Sequence, residues 1–260
     1  MLAPFSPYRL TSREGGGVCL NMIVKDEQDV IARCLRSALP YISSYCIVDT
    51  GSTDRTKEII LETLKELPGR VLDFEWTGNF SEARNFAFEA ALAQDPAYLM
   101  FMDADELLVI QGVMPLLACD AYLIGVHYLG NMENRYWMVR SDFPGRWFGA
   151  IHEDLPSHGS ISQVVGTMIV STPYGARAKN PEKRVQEDLD VLHEMIKKDP
   201  GNPRNWYYLG ATYIVAKEYD KAAWAFGERA KMSGNQREID KANAYLTYYN
   251  KEKGVILCAS

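Results

Sequence analysis

Over its first hundred residues the chain alternates short apolar runs with stretches whose apolar residues recur every three or four positions. Val18–Val24 is apolar at every position but Asn21, the pattern of a strand covered on both faces. Residues 26–39 place Val30, Ile31, Cys34, Leu35, Ala38 and Leu39 at helical spacing, and Pro40 stops the helix. Residues 45–49 read as a second strand and 51–54 as a turn, with Thr53 or Asp54 as N-cap of a helix reaching about Leu67. Pro68 and Gly69 break that helix, residues 71–76 form a third strand, and residues 81–93 a helix opened by Ser81. Pro96 then leads into Tyr98-Leu99-Met100-Phe101-Met102, an apolar run that ends in Asp103 and Asp105. Four alternations of strand and helix predict an α/β fold built on a parallel, doubly wound sheet with right-handed crossovers.

Beyond Asp105 the rhythm changes. Residues 121–128, 136–140 and 164–170 read as strands without long helices between them, a mixed extension of the sheet. Residues 145–155 form an aromatic loop, and residues 171–180 have the look of a linker. The remainder is helical: residues 181–198 carry Val185, Leu189, Leu192 and Ile196 on one stripe, and the segment 199–203 ends it. Trp206, Leu209, Gly210 and Tyr213, then Ala222 and Phe226, follow tetratricopeptide spacing, with room for one and a half to two repeats. So short an array is too small to stand alone. The domains expected are a flexible lead-in over 1–17, a sheet domain over 18–172, a linker over 173–180 and an all-α domain over 181–260.

Five scattered cysteines without Cys-x-x-Cys spacing argue against a disulfide framework or a zinc site. With no apolar run of membrane-spanning length and no secretory signal pattern, the expected location is the cytoplasm. The net charge of −6 is uneven: up to residue 175 there are 13 basic and 22 acidic residues, and from 176 on 15 basic and 12 acidic. The acidic part also holds the candidate site, which weighs against a nucleic-acid partner.

In a parallel sheet, ligands bind beyond the carboxyl ends of the strands. Asn21 is the polar position of the first strand with Lys25 and Glu27 following its end, Asp49 ends the second, and Asp103 and Asp105 end the fourth. Carboxylates two apart in extended backbone share a face, so Asp103 and Asp105 can address one Mg²⁺ or Mn²⁺ ion, or divide a cation and a ribose between them. The same acids also suit a helix N-terminus, and Asp49 suits an Asx turn.

Five motifs in order, Lys25-Asp26-Glu27, Val48-Asp49-Thr50-Gly51-Ser52-Thr53-Asp54, Ala83-Arg84-Asn85, Asp103-Ala104-Asp105-Glu106 and Gly149-x-Ile151-His152-Glu153, resemble family 2 glycosyltransferases over residues 18–172. The likeness is greatest to members with C-terminal tetratricopeptide-like repeats, which include enzymes acting on peptides and on lipopolysaccharide cores. The resemblance implies a Rossmann-like nucleotide-diphospho-sugar transferase (GT-A) fold, a nucleoside-diphosphate sugar donor (commonly UDP), a Mn²⁺ or Mg²⁺ ion, and inversion at the anomeric carbon. It matches Asp49 to base or ribose contact, Asp103 to ribose and metal, Asp105 to the metal, and Arg84 to the nucleotide's surroundings, with Ala104 inside the same motif.

A single displacement needs a base to deprotonate the acceptor, and a positioned carboxylate serves; Glu153 is the first choice and Asp154 the second. His152 is a candidate third metal ligand. Trp147 and Phe148 would flank the sugar or acceptor, and Lys25, Arg135, Arg140 and Arg146 are cations within reach of a diphosphate. The helical repeats, with Tyr245, Tyr248 and Tyr249, are expected to help choose the acceptor, first a protein or peptide. The alternatives are a lipopolysaccharide-core or other glycan or lipid-linked acceptor, a modified nucleic-acid base, or a non-catalytic scaffold on a degenerate transferase fold.

Overall fold

The strand β1 (Val18–Val24) runs through the middle of an eight-stranded sheet, between β2 (Ser44–Asp49) and β4 (Tyr98–Phe101), parallel to both. β3 (Gly69–Asp73) lies parallel outside β2. The chain is described over residues 17–111 and 116–253 in a computed structural model. The lead-in 1–16 lies outside the described residues. The remaining strands are β5 (Glu106–Ile110), β6 (Ala121–Tyr128), β7 (Asn131–Arg140) and β8 (Ile161–Ser171), and the order is β3-β2-β1-β4-β7-β6-β8-β5. β7 enters antiparallel to β4, which makes the sheet mixed as the strand-rich second half predicts.

Period-2 alternation assigns the two faces. Val18, Leu20, Met22 and Val24 join Tyr45, Ile47, Tyr98 and Met100 in one core, completed by Ile31, Cys34, Leu35 and Ala38 of α1 (Ile31–Ala38) and Ile60 of α2 (Thr56–Thr63). Cys19, Cys46, Leu99 and Phe101 face the other way, onto Phe88 and Ala91 of α3 (Phe80–Leu92). Each fully buried Val, Leu, Ile, Met or Phe side chain among these contributes roughly 1.5–3 kcal/mol relative to exposure.

Several boundaries move for local reasons. α1 starts at Ile31 rather than near Asp26, because Asp26 takes φ 54° and the Glu27 carbonyl accepts from Val30 and Ile31 in a turn. α2 is shorter than predicted; Asp54 accepts from the Thr56 amide at its start. α3 is capped by Asn79, whose carboxamide oxygen accepts from the Ser81 and Glu82 amides, and not by Ser81. β3 begins at Gly69, where a side chain would strike the Tyr45 ring at 2.3 Å. β5 falls where the sequence pattern predicts no strand.

The contacts divide the molecule into a sheet unit, reaching Gly149 and resuming over Glu153–Lys179, and a helical unit of Ala150–His152 with the chain from Asn180 on. The helical unit contains α4 (Pro181–Lys198), α5 (Pro203–Val215), α6 (Tyr219–Ala230) and α7 (Gln236–Glu252). Trp206, Leu209 and Tyr213 of α5 are buried with Ala222, Ala225 and Phe226 of α6. Gly210 permits the close crossing, since a Cβ there would lie 2.8 Å from the Phe226 ring. Arg229, fully buried, holds the α6–α7 turn by donating to the Met232 and Asn235 carbonyls and to Glu238. Among the described residues no helix is long and apolar enough to cross a membrane.

Candidate functional site

Parallel register brings the ends of β1 and β2 level, Val24 opposite Asp49, and β4 ends on the same edge. Asp49 is almost fully buried. One carboxylate oxygen accepts from the Gly51 and Ser52 amides at 2.9 and 2.7 Å, closing the turn after β2, while Oδ2 is buried without a hydrogen-bond partner. A buried orphan oxygen is costly unless a ligand donor satisfies it. Asn21 is equally buried, but its amide donates to the Cys46 and Ala87 carbonyls, tying β1 to β2 and α3. Lys25 is exposed.

Asp103 and Asp105 do not sit in extended backbone. Residues 103–106 form a turn in which the Glu106 amide donates to the Asp103 carbonyl and the Asp103 amide to the Glu106 carboxylate. The two acids therefore have different neighbours. Asp103 Oδ1 receives Arg84 Nη2 at 2.7 Å and Oδ2 receives Arg135 Nη1 at 3.2 Å. Burial alone would raise the Asp103 carboxyl, but the two guanidiniums outweigh it and hold it well below the usual carboxylate range. Asp105 is in no ion pair among the described residues; burial, then the Asp103 charge, push it up to about 6. Glu106 is buried and ion-paired with Arg135, and burial pushes its carboxyl upward against that pull. Glu27 is pushed up to about 7 by burial and by the charges of Asp105 and Asp103.

Arg84, on the buried side of α3, also reaches Glu153: its Nε lies 2.6 Å from Glu153 Oε1. Burial works against its charge, yet Asp103 and Glu153 hold it above the ordinary arginine range. The guanidinium lies over the Trp147 ring, 5.1 Å from its centre. Trp147 is fixed by Asn85, whose side chain bonds both its amide (2.8 Å) and its carbonyl (2.9 Å), and by an edge-on contact with Phe101. Its indole Nε1 is buried without a partner. Asp154 pairs through its backbone with Phe148. His152, at φ 51°, falls in the helical unit, its ring stacked on Tyr208 at 4.0 Å and its carbonyl accepting from Arg204.

The sheet unit thus carries Asp49, Arg84, Asp103, Asp105 and Glu153 from four of the five motifs, and Arg84 joins Asp103 directly to Glu153 and to Trp147, which lies outside them. Sequence reasoning undervalued Arg135, Glu106 and Asn85. The signals were a lone arginine in the strand antiparallel to β4, a carboxylate directly after a strand-end acid pair, and an asparagine inside a helix, where its propensity is poor. Among the described residues no three His, Cys, Asp or Glu side chains form a preformed cation cage. The donor set, one open carboxylate beside a neutralised one, fits a hard cation that takes its other ligands from phosphate and water.

The pattern of the family described as "Glycosyl transferase family 2" matches residues 19–157, more than half of the chain. The chain belongs to glycosyl transferase family 2. Among relatives, the SPbeta prophage-derived glycosyltransferase SunS of Bacillus subtilis is 22% identical over 209 residues, 74% of this chain and 48% of that protein. A TPR repeat-containing protein of Synechococcus elongatus is 37% identical over 94 residues, 36% of this chain and 22% of that one. The chain thus spans about half or less of the length of these curated relatives. Among solved structures, S. aureus TarS in complex with UDP-GlcNAc superposes with a TM-score of 0.53 at 13% identity, covering 92% of this chain and 93% of that one, a likeness of fold.

Proposed function

We propose that this family 2 domain transfers a sugar from a UDP-sugar to a protein or peptide acceptor by a single, inverting displacement assisted by a divalent cation. The observation that carries the reading is the sharing of Arg84: one guanidinium holds Asp103 of the donor motif and Glu153 of the acceptor motif. Donor-side and base-side carboxylates are thereby held by two neighbouring nitrogens of one rigid group, the preorganisation that proximity catalysis needs.

In this reading Asp49, with its orphan oxygen, takes a donor group of the base or ribose. Asn21 supports that edge from beneath, while Lys25 and Glu27 border it. Trp147 offers its face and its buried N–H to the sugar or acceptor. Glu153 accepts the acceptor's proton as the acceptor's attacking atom bonds to the anomeric carbon and the bond to the diphosphate oxygen breaks; Asp154 follows it in the same loop as the alternative base. Asp105 would hold the cation, Mn²⁺ or Mg²⁺, with Asp103 beside it, and the cation when bound supplies positive charge at the departing diphosphate. Exposed Tyr219, Trp224 and Tyr248 support the helical unit as the part that reads a peptide.

Calorimetric titration of nucleoside diphosphates, with and without Mn²⁺, tests the donor half. Binding of UDP that requires Mn²⁺ and is lost in Asp105→Ala is the expected result. A folded protein that binds no nucleotide rejects the reading.

A further inference from the structure

Residues 172–179, expected to be a linker, are instead packed across the acidic edge of the sheet unit. The Thr172 amide and hydroxyl both donate to the Asp105 carbonyl, at 3.2 and 2.8 Å, and the same hydroxyl accepts from Arg33 Nη2 at 2.8 Å. The Ala176 amide donates to both oxygens of Glu27, at 3.2 and 3.1 Å. The Arg177 guanidinium lies 4.8 Å from the centre of the Phe80 ring, and Lys179 pairs with Asp29 at 2.6 Å. The segment is therefore tied to the turn after β4, the loop after β1, α1 and the start of α3.

At its centre Gly175 is buried against the Asp105 side chain. A Cβ built there would lie 3.1 Å from Oδ2, 3.2 Å from Cβ and 3.3 Å from Cγ of Asp105, too close unless the carboxylate shifts by a few tenths of an ångström. The backbone of Gly175 is not in the left-handed region, so conformation does not demand glycine here; the neighbouring carboxylate does. Cation ligation registers errors of about 0.2 Å.

We propose that residues 172–179 form the wall that seats Asp105 for cation binding, with Gly175 as the positioning residue and Thr172 as the anchor that fixes the turn from behind. The inference rests on Asp105 being the cation-holding acid. It assigns to this segment a part in donor binding that none of the five motifs contains.

The test is titration of Mn²⁺ in the presence of UDP, followed by electron paramagnetic resonance, on the full chain and on Gly175→Ala and Thr172→Val, with thermal melts as the check of folding. Disturbing residues that support a metal ligand typically weakens affinity about 10–100-fold, and a loss in that range is expected for Gly175→Ala, with a smaller loss for Thr172→Val. Wild-type Mn²⁺ affinity in folded Gly175→Ala and Thr172→Val overturns the inference while leaving the donor site intact. If Gly175→Ala does not fold, Thr172→Val decides alone. A wild-type chain that binds no Mn²⁺ removes the donor-site reading itself, and the inference with it.

Discussion

Asp103 and Asp105 are one residue apart and electrostatically unlike. Asp103 is clamped between Arg84 and Arg135, whereas Asp105 keeps its carboxylate outside every ion pair among the described residues. Removing Arg84 should therefore be severe. Arg84→Met leaves the largely buried Glu153 without its cation, while the more exposed Asp103 keeps Arg135, so the loss should fall toward the low end of the about 3–5 kcal/mol that breaking a buried pair costs. A urea midpoint within experimental error of wild type would contradict that. Glu27 allows a pH prediction. Its folded value of about 7 lies above the ~4.3 of an unfolded glutamate. A raised carboxyl contributes stability that is present at low pH and lost as pH rises through the folded value. Glu27→Gln keeps an acceptor for the Ala176 amide and removes the charge, so its melting temperature should exceed wild type at pH 8 and not at pH 5. Melts that show no gain at pH 8 would refute it. The acids themselves were legible in sequence because charge at a strand end is conspicuous. Their partners were not: Arg135 lies 32 residues from Asp103 and reaches it only through the β4–β7 pairing.

At the scale of elements, local sequence succeeded wherever the period was long and clean and failed where backbone chemistry intervened. The apolar stripe of α1 was correct, but its first residues were claimed by the turn that the positive φ of Asp26 allows. β5 escaped notice because Glu106-Leu107-Leu108-Val109-Ile110 directly follows the acid pair, and only its pairing with β8 makes it a strand. The helical pair offers a cleaner case. The tetratricopeptide spacing asks for a small residue at Gly210, and the structure puts the Phe226 ring where a side chain would go. Gly210→Val should destabilise the chain by roughly 1–3 kcal/mol through overpacking, seen as a lower melting temperature. Tolerance of valine without loss would mean the two helices are not in close contact.

For the whole molecule, the uneven charge sets an expectation about ligands. UDP is an anion, and the residues up to 175 carry 22 acidic against 13 basic side chains. UDP should therefore raise the melting temperature in Mn²⁺ and have little effect in a chelator; at a hundredfold excess over Kd the stabilisation is about 2.7 kcal/mol. Equal shifts with and without Mn²⁺ would argue that the arginines alone hold the diphosphate. The sequence by itself determined the α/β alternation, the strand-end acids, the helical repeats and, through five spaced motifs, the family. Those are properties of local pattern: burial period, turn chemistry and residue type at fixed spacing. Tertiary structure alone decided that Asp103 is neutralised while Asp105 stays open, that Arg84 joins Asp103 to Glu153, and that residues 172–179 pack against Asp105 and Glu27. Each of these depends on which distant group meets a carboxylate in a medium of low polarity, and tertiary packing, not sequence spacing, determines that meeting.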